Sequence, residues 1–244
     1  MITSELRMNP TTLERIIPDE LSENEATGSE TLHLHIERYQ FAKEYLVRGS
    51  LLDLACGVGY GTALLSKDPR ISTAVGVDID NAAIQYAKER YRGRNATYIC
   101  SEALDFQPDH QFDNIVSLET IEHVDDPQAF FARLVSLLAP GGRLIASVPV
   151  TPSVDANPHH KSNFSIKKFK GMGNSFSLKY VASLGQVQHY NPVTIVMRKE
   201  ARTANLRGSL AHFYLKRPSQ LLLRIWSTLR DGFANKYLTV VWEK

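Results

Sequence analysis

Leu51-Leu52-Asp53-Leu54-Ala55-Cys56-Gly57-Val58-Gly59-Tyr60-Gly61-Thr62 is a short apolar run that breaks into a turn of small residues. The run predicts a buried strand over Leu51–Ala55, and a helix is expected to start at Gly61. Small residues at 55, 57 and 59 let the backbone turn sharply and approach a ligand closely. A nucleotide-like cofactor can then lie against the backbone amides at the start of the next helix. Nineteen residues after Gly59, Asp78 closes a second apolar run. An acid there can accept hydrogen bonds from both hydroxyls of a ribose. A glycine-rich turn followed by an acid also suits a nicotinamide dinucleotide, whose fingerprint is G-x-G-x-x-G. This chain offers Gly57-x-Gly59-x-Gly61-Thr62 instead and carries Asp53 inside the motif strand. A carboxylate in that strand suits a cofactor bearing an ammonium and a sulfonium.

Outward from this loop the chain alternates apolar runs with amphipathic stretches. Strands are expected at Thr73–Val77, Ala96–Cys100, Asn114–Leu118 and Arg143–Val148, with helices at Asn81–Tyr91 and Pro127–Leu138. A helix from Ser29, as N-cap, to Gly49 precedes the loop, and Pro140-Gly141-Gly142 is expected to stop the helix before it. Continuous apolar strands interleaved with helices predict an α/β fold, a doubly wound, mostly parallel sheet covered on both faces. Its ligand belongs beyond the carboxyl ends of the strands. After Val148 the alternation gives way to a Pro-, Asn- and His-rich loop over 151–164. A short helix is expected at Ser165–Lys170, and strands at Phe176–Gln186 and Lys236–Trp242 bring the sheet to seven. The organisation read from this is an N-terminal arm and helix (1–48) covering the cofactor, a core (49–195), a basic helical insertion (196–235) and a last core strand (236–244).

The 244 residues include 43% hydrophobic ones, enough for a core without metal or disulfide staples. The two cysteines, Cys56 and Cys100, are read as buried strand ends in a reducing compartment. No apolar leader and no membrane-spanning run is visible, so a soluble cytoplasmic protein is expected. The formal charge of +2 argues nothing alone, but residues 196–236 hold nine Lys/Arg against two acids, leaving the remainder net acidic.

From about residue 30 to 150 the chain resembles class I S-adenosylmethionine-dependent methyltransferases. Asp53-x-Ala55-Cys56-Gly57-x-Gly59 matches their first motif, with Ala55 at the commoner first glycine. Val75-Gly76-Val77-Asp78-Ile79-Asp80 matches the second, implying that Asp78 binds the ribose and Ile79 packs on adenine. Cys100-Ser101-Glu102-Ala103 stands where the family has Gly-Asp-Ala, implying an adenine contact by Glu102 and Ala103. Phe112-Asp113-x-Ile115-Val116-Ser117, continued by Glu119-Thr120-Ile121-Glu122-His123-Val124, matches the fourth motif, and Leu138-x-Pro140-Gly141-Gly142 the fifth. The resemblance implies a Rossmann-like methyltransferase fold, with S-adenosylmethionine as donor and S-adenosylhomocysteine as product. His35-x-x-Arg38-Tyr39-x-Phe41-Ala42, Tyr60-Gly61 and Asn157-Pro158-His159-His160 also resemble methyltransferases of bacterial polysaccharide and sugar biosynthesis, in which a His in this context lies near the acceptor.

Methyl transfer from a sulfonium is an in-line displacement, for which positioning supplies much of the rate. A hydroxyl acceptor must also lose a proton, and a neutral histidine is a suitable base. His160 is the first candidate and His123 the second, against roles as a loop-bonding residue and a loop-orienting one. Tyr39 and Tyr60 could face the sulfonium, although helix packing accounts equally for Tyr39. Glu119 is placed among the cofactor residues. Glu119 and Glu122 could instead shape the acceptor site, bind a metal, or be solvated at a helix start. Asp125 and Asp126 read as N-caps. A metal site of Asp155 with His159-His160 lacks further carboxylates, so no metal is expected. The basic insertion reads as a solvated helix, as recognition of an anionic acceptor (a nucleotide-sugar or lipid-linked glycan), or as a peripheral membrane contact through 216–230. Nucleic acid is not expected. The functions left open are O-methylation of a saccharide or glycan, methylation of another small metabolite (phenol, quinol or amine), and non-catalytic cofactor binding.

Overall fold

A computed structural model describes residues 17–18, 26–93, 95–190 and 206–244. Seven strands form one sheet in the order β3-β2-β1-β4-β5-β7-β6. They are β1 (Gly49–Leu54), β2 (Ile71–Asp78), β3 (Ala96–Cys100), β4 (Phe112–Leu118), β5 (Leu138–Pro149), β6 (Lys179–His189) and β7 (Ala234–Glu243). The first five are parallel, and β7 runs antiparallel between β5 and β6. Among the described residues there are seven α-helices: α1 (Ala26–Glu44), α2 (Tyr60–Leu65), α3 (Asn81–Arg90), α4 (Pro127–Leu137), α5 (Ile166–Met172), α6 (Leu210–Lys216) and α7 (Pro218–Asp231). The doubly wound sheet expected from the sequence is therefore present.

Its central strands are apolar on both faces because both faces are covered. Leu52, Leu54, Ile115, Leu144 and Trp242 pack with Phe130, Phe131 and Leu134 of α4 and with Phe169 of α5. Their neighbours Leu51, Val116, Ile145 and Val241 meet Tyr39 and Ala42 of α1 on the other side. Each fully buried residue of this kind contributes roughly 1.5–3 kcal/mol of apolar transfer. Asp80 caps α3 by accepting from the amides of Ala82 and Ala83. Asp126 caps α4 the same way, with Pro127 at the first helical position. Asp125 is not a cap; it pairs with Lys161 at 2.7 Å.

Several boundaries differ from the sequence reading, each for a local reason. Ser29 lies inside α1, and the helix ends at Glu44, so Gly49 opens β1. Pro140-Gly141-Gly142 forms an irregularity inside β5, whose pairing with β4 skips from Leu138 to Arg143. The strand begins at Lys179 because Gly173–Phe176 first makes a 3-10 turn. Cys100 is exposed, since β3 is an edge strand, while Cys56 is buried as expected. Residues 1–16 and 19–25 of the expected arm, 191–195 of the expected core and 196–205 of the insertion fall outside the described residues.

Candidate active site

The glycine-rich loop leaves the carboxyl end of β1 through three left-handed residues: Ala55 (φ 68°), Gly57 (φ 55°) and Gly59 (φ 83°). A glycine at 55 would satisfy this conformation without the penalty of a Cβ. At Gly59 a Cβ would also stand 2.6 Å from the Tyr98 ring, and at Gly61 1.9 Å from the ring of Tyr39. The loop is thus pressed between two tyrosines. Asp78, at the end of β2, accepts from the amide of Gly57 at 2.8 Å and from that of Asp80 at 2.9 Å. Beside it lies a cleft of about 340 Å³ lined by Ala55, Asp78, Ile79, Glu102, Ala103 and His123, among others. Ile79 is 66% exposed there, an apolar surface open to a flat ligand.

Tyr39, Asp53, Tyr60 and Glu119 do not line that cleft; they gather under α1. Asp53 is buried and accepts from the Thr62 hydroxyl at 2.7 Å and the Tyr39 hydroxyl at 3.3 Å. Its Oδ1 is buried with no hydrogen-bond partner. Burial pushes its carboxyl up to about 7, against the pull of those two hydrogen bonds, with nearby Asp78 adding to the rise. Tyr60 exchanges a hydrogen bond with His35 at 2.9 Å and meets Tyr39 edge to face. Glu119 (φ 51°) ends β4 and accepts from the Ser147 hydroxyl at 2.7 Å. Arg38, 1% exposed, lies 3.8 Å from Glu119, donates to Gln186 at 2.7 Å and covers the Tyr237 ring. In the sequence Arg38 stands out only within the His35-x-x-Arg38-Tyr39 motif, and Gln186 and Ser147 not at all. A lone Arg in a helix carries no local signal of burial; its partners lie on strands far along the chain.

The fourth-motif turn and the loop after β5 are clipped together. The carbonyl of Glu122 accepts from the amides of Lys161 and Ser162 at 2.7 and 3.2 Å. This brings His123 and His160, named as alternatives from sequence, to ring centroids 4.6 Å apart. Nδ1 of His123 donates to the His159 carbonyl at 3.3 Å, and Nδ1 of His160 is held by the Ser153 hydroxyl at 2.7 Å. One ligand atom each from Glu122, His123 and His160 lie within 4.8 Å of one another, a set able to hold a metal ion. Asp155, a candidate partner of His159-His160 in the sequence, pairs instead with Arg224 at 2.6 Å.

At His160 a cavity of about 780 Å³ is lined by Lys161, Arg207, His212, Lys216 and Arg217, with Asp125 the one acid among the described residues. Arg207 is braced by the Asp155 and Val154 carbonyls, both at 3.1 Å, and stacks on Phe213. The cavity and the cofactor cleft share Asp125 and Lys161.

This sheet order, with a glycine turn after β1 and an acid after β2, defines a Rossmann-like nucleotide-binding fold. A family model described as a methyltransferase domain matches residues 52–146, so that segment is similar to methyltransferase domains. The mitochondrial ubiquinone biosynthesis O-methyltransferase of Dictyostelium discoideum is 31% identical over 154 residues, 58% of this chain and 44% of that protein. Phosphoethanolamine N-methyltransferase 1 of Arabidopsis thaliana is 30% identical over 118 residues, covering 46% and 24% respectively. The chain spans about half the length, or less, of the curated relatives it matches. Among solved structures, the YcgJ protein of Bacillus subtilis shares the fold with a TM-score of 0.63 at 16% identity, covering 86% of this chain and 98% of that one.

Proposed function

We propose that the chain transfers the methyl group of S-adenosylmethionine to a hydroxyl of a small anionic acceptor, a saccharide or glycan intermediate, with His160 as the base. The observation carrying this reading is the junction at His123 and His160 between the donor-side cleft and the cation-lined cavity. When bound, S-adenosylmethionine supplies an activated methyl group and leaves as a neutral thioether. Asp78 would hold the ribose hydroxyls and Ile79, Glu102 and Ala103 the adenine, while α1 covers the loop through Tyr39, which meets Gly61 and Tyr60. Arg207, Lys216 and Arg217 hold the acceptor's negative charge and exclude neutral competitors. His160, oriented by Ser153, takes the hydroxyl proton at Nε2 as the oxygen–methyl bond forms.

The names of the relatives include both an O- and an N-methyltransferase, so hydroxyl over amine rests on His160 and not on likeness. A second reading follows from the grouping of Glu122, His123 and His160. A divalent cation held there would acidify the acceptor hydroxyl in place of a histidine base. Incubation with methyl-labelled S-adenosylmethionine tests the main reading. Label should enter nucleoside-diphosphate sugars in preference to neutral sugars, and chelation should leave the rate unchanged. Label found in amines or quinols alone would sink it, and loss of activity on chelation would favour the metal.

Asp78→Ala should weaken S-adenosylhomocysteine binding, measured by calorimetry, by about 100-fold, the worth of two hydrogen bonds to a charged acceptor. Asp53 gives a pH signature. Folding raises its pKa, so it stabilises the unliganded fold below the ordinary aspartate value of about 3.9 and loses that contribution as pH rises through about 7. Asp53 does not line the cleft but is coupled to Asp78, which does, so an ammonium-bearing ligand there favours the ionised Asp53 carboxylate through space. Affinity for S-adenosylhomocysteine should rise as pH climbs through about 7. Asp53→Asn should flatten that rise and lift the melting temperature of the unliganded protein at pH 8.

A further inference from the structure

Helix α7 is mounted inside out. Its polar side faces the protein: Gln220 accepts from Asn163 at 2.9 Å, Arg224 pairs with Asp155 at 2.6 Å, and Ser227 is 5% exposed. Its apolar side faces outward, with Leu222 at 68%, Ile225 at 47%, Trp226 at 59% and Leu229 at 81% exposure. At 100° per residue these four span one continuous face. Leu215 of α6, 83% exposed, stands beside it. Among the described residues the large exposed apolar side chains concentrate here. The pairing of Arg224 with the buried Asp155 carboxylate ties the polar side of the helix to the core, so the apolar face points away from it.

We propose that the outer face of α6 and α7 docks on an anionic lipid surface, with α7 lying in the plane of the interface. Three observations favour lipid as the occupant. A strongly segregated helix with Leu and Trp on one side is the form that sits at a headgroup boundary. Lys216 and Arg217 are exposed at one end of the apolar face; near the other Arg230 stacks on Trp226 and shares Asp231 with Lys236, a group with one net positive charge, so positive charge flanks the face. The segment 196–236 holds nine Lys/Arg against two acids, the complement of a negative surface. No described helix is long and apolar enough to cross a membrane. Lys216 and Arg217 also line the basic cavity, so docking would turn its mouth toward the headgroups. The inference stands independently of the acceptor's identity.

Vesicle co-sedimentation with the full chain tests this directly. The protein should pellet with mixed phosphatidylcholine–phosphatidylglycerol vesicles and not with phosphatidylcholine alone, and salt should weaken the association. The chain has two tryptophans, and Trp242 is 1% exposed, so a blue shift in emission on binding reports Trp226. The double change Leu222→Gln and Leu229→Gln removes two exposed leucines and should lower partitioning about tenfold or more with an unchanged melting temperature. Wild-type protein that ignores anionic vesicles would overturn the proposal. So would wild-type dimers that the double change splits while vesicle binding stays intact, which would assign the face to a second copy.

Discussion

His160→Ala is expected to lower kcat for a hydroxyl acceptor by about 10²–10⁴-fold, the usual contribution of a positioned base. Affinity for S-adenosylhomocysteine should change little, because His160 lines the acceptor-side cavity and not the donor cleft. Calorimetry and steady-state rates separate the two effects. His123→Ala should cost less than His160→Ala, since His123 lines the donor-side cleft and not the cation-lined cavity, and supports the neighbouring ring edge to face. Ser153→Ala should act through His160 and shift the acid limb of the pH–rate profile, because it removes the partner of Nδ1. If His160→Ala retains full activity, no base is needed, and an amine acceptor becomes the better reading.

The second large effect is on the fold of the insertion. Arg224 donates from Nε and Nη2 to the two oxygens of Asp155 at 2.7 and 2.6 Å, and again to the Pro152 carbonyl at 2.6 Å. The Tyr214 hydroxyl also donates to Asp155, at 2.5 Å. Burial pushes the Asp155 carboxyl up, yet the hydrogen bonds and charge of Arg224, with Tyr214, outweigh it and hold the carboxyl below its ordinary range. Arg224→Ala strands a buried carboxylate and should destabilise the protein by about 3–5 kcal/mol in denaturant titration. The sign with pH follows from the depressed pKa. The pair stabilises above the unfolded value of about 3.9, and that stability is lost as pH falls through the folded pKa. The gap between wild type and Arg224→Ala should therefore close in acid. Arg224→Leu combined with Asp155→Asn should recover much of the loss. A loss below about 1 kcal/mol, typical of an exposed pair, would mean that the insertion is anchored elsewhere.

The parallel core was legible because its signals are local. Leu51–Leu54, Val75–Val77 and Ile115–Val116 are apolar runs whose burial on both faces follows from flanking amphipathic helices. Asp80 and Asp126 announce the helices they cap. What escaped was long-range or inverted. Nothing near Asp155 indicates that its partner is Arg224, and nothing near Arg38 indicates Gln186. The Pro-Gly-Gly segment read as a stop because a strand that bulges across Gly141 uses the same residues as a turn. The apolar stripe of α7 was visible, but its direction was not, because periodicity marks two faces without saying which is inward.

The Arg38–Gln186 bond joins residues 148 apart in the chain, and β7 must pair with both β5 and β6. Loop-closure entropy opposes such contacts until much of the core exists. The covering of the cofactor loop by α1 is thus among the last events of folding, since α1 is pinned to β6, which is itself held by β7. In refolding kinetics, secondary structure of the central strands should return before the protein regains affinity for S-adenosylhomocysteine. Donor binding is a late reporter of the assembled sheet, even though the loop that binds it is encoded near the chain's beginning.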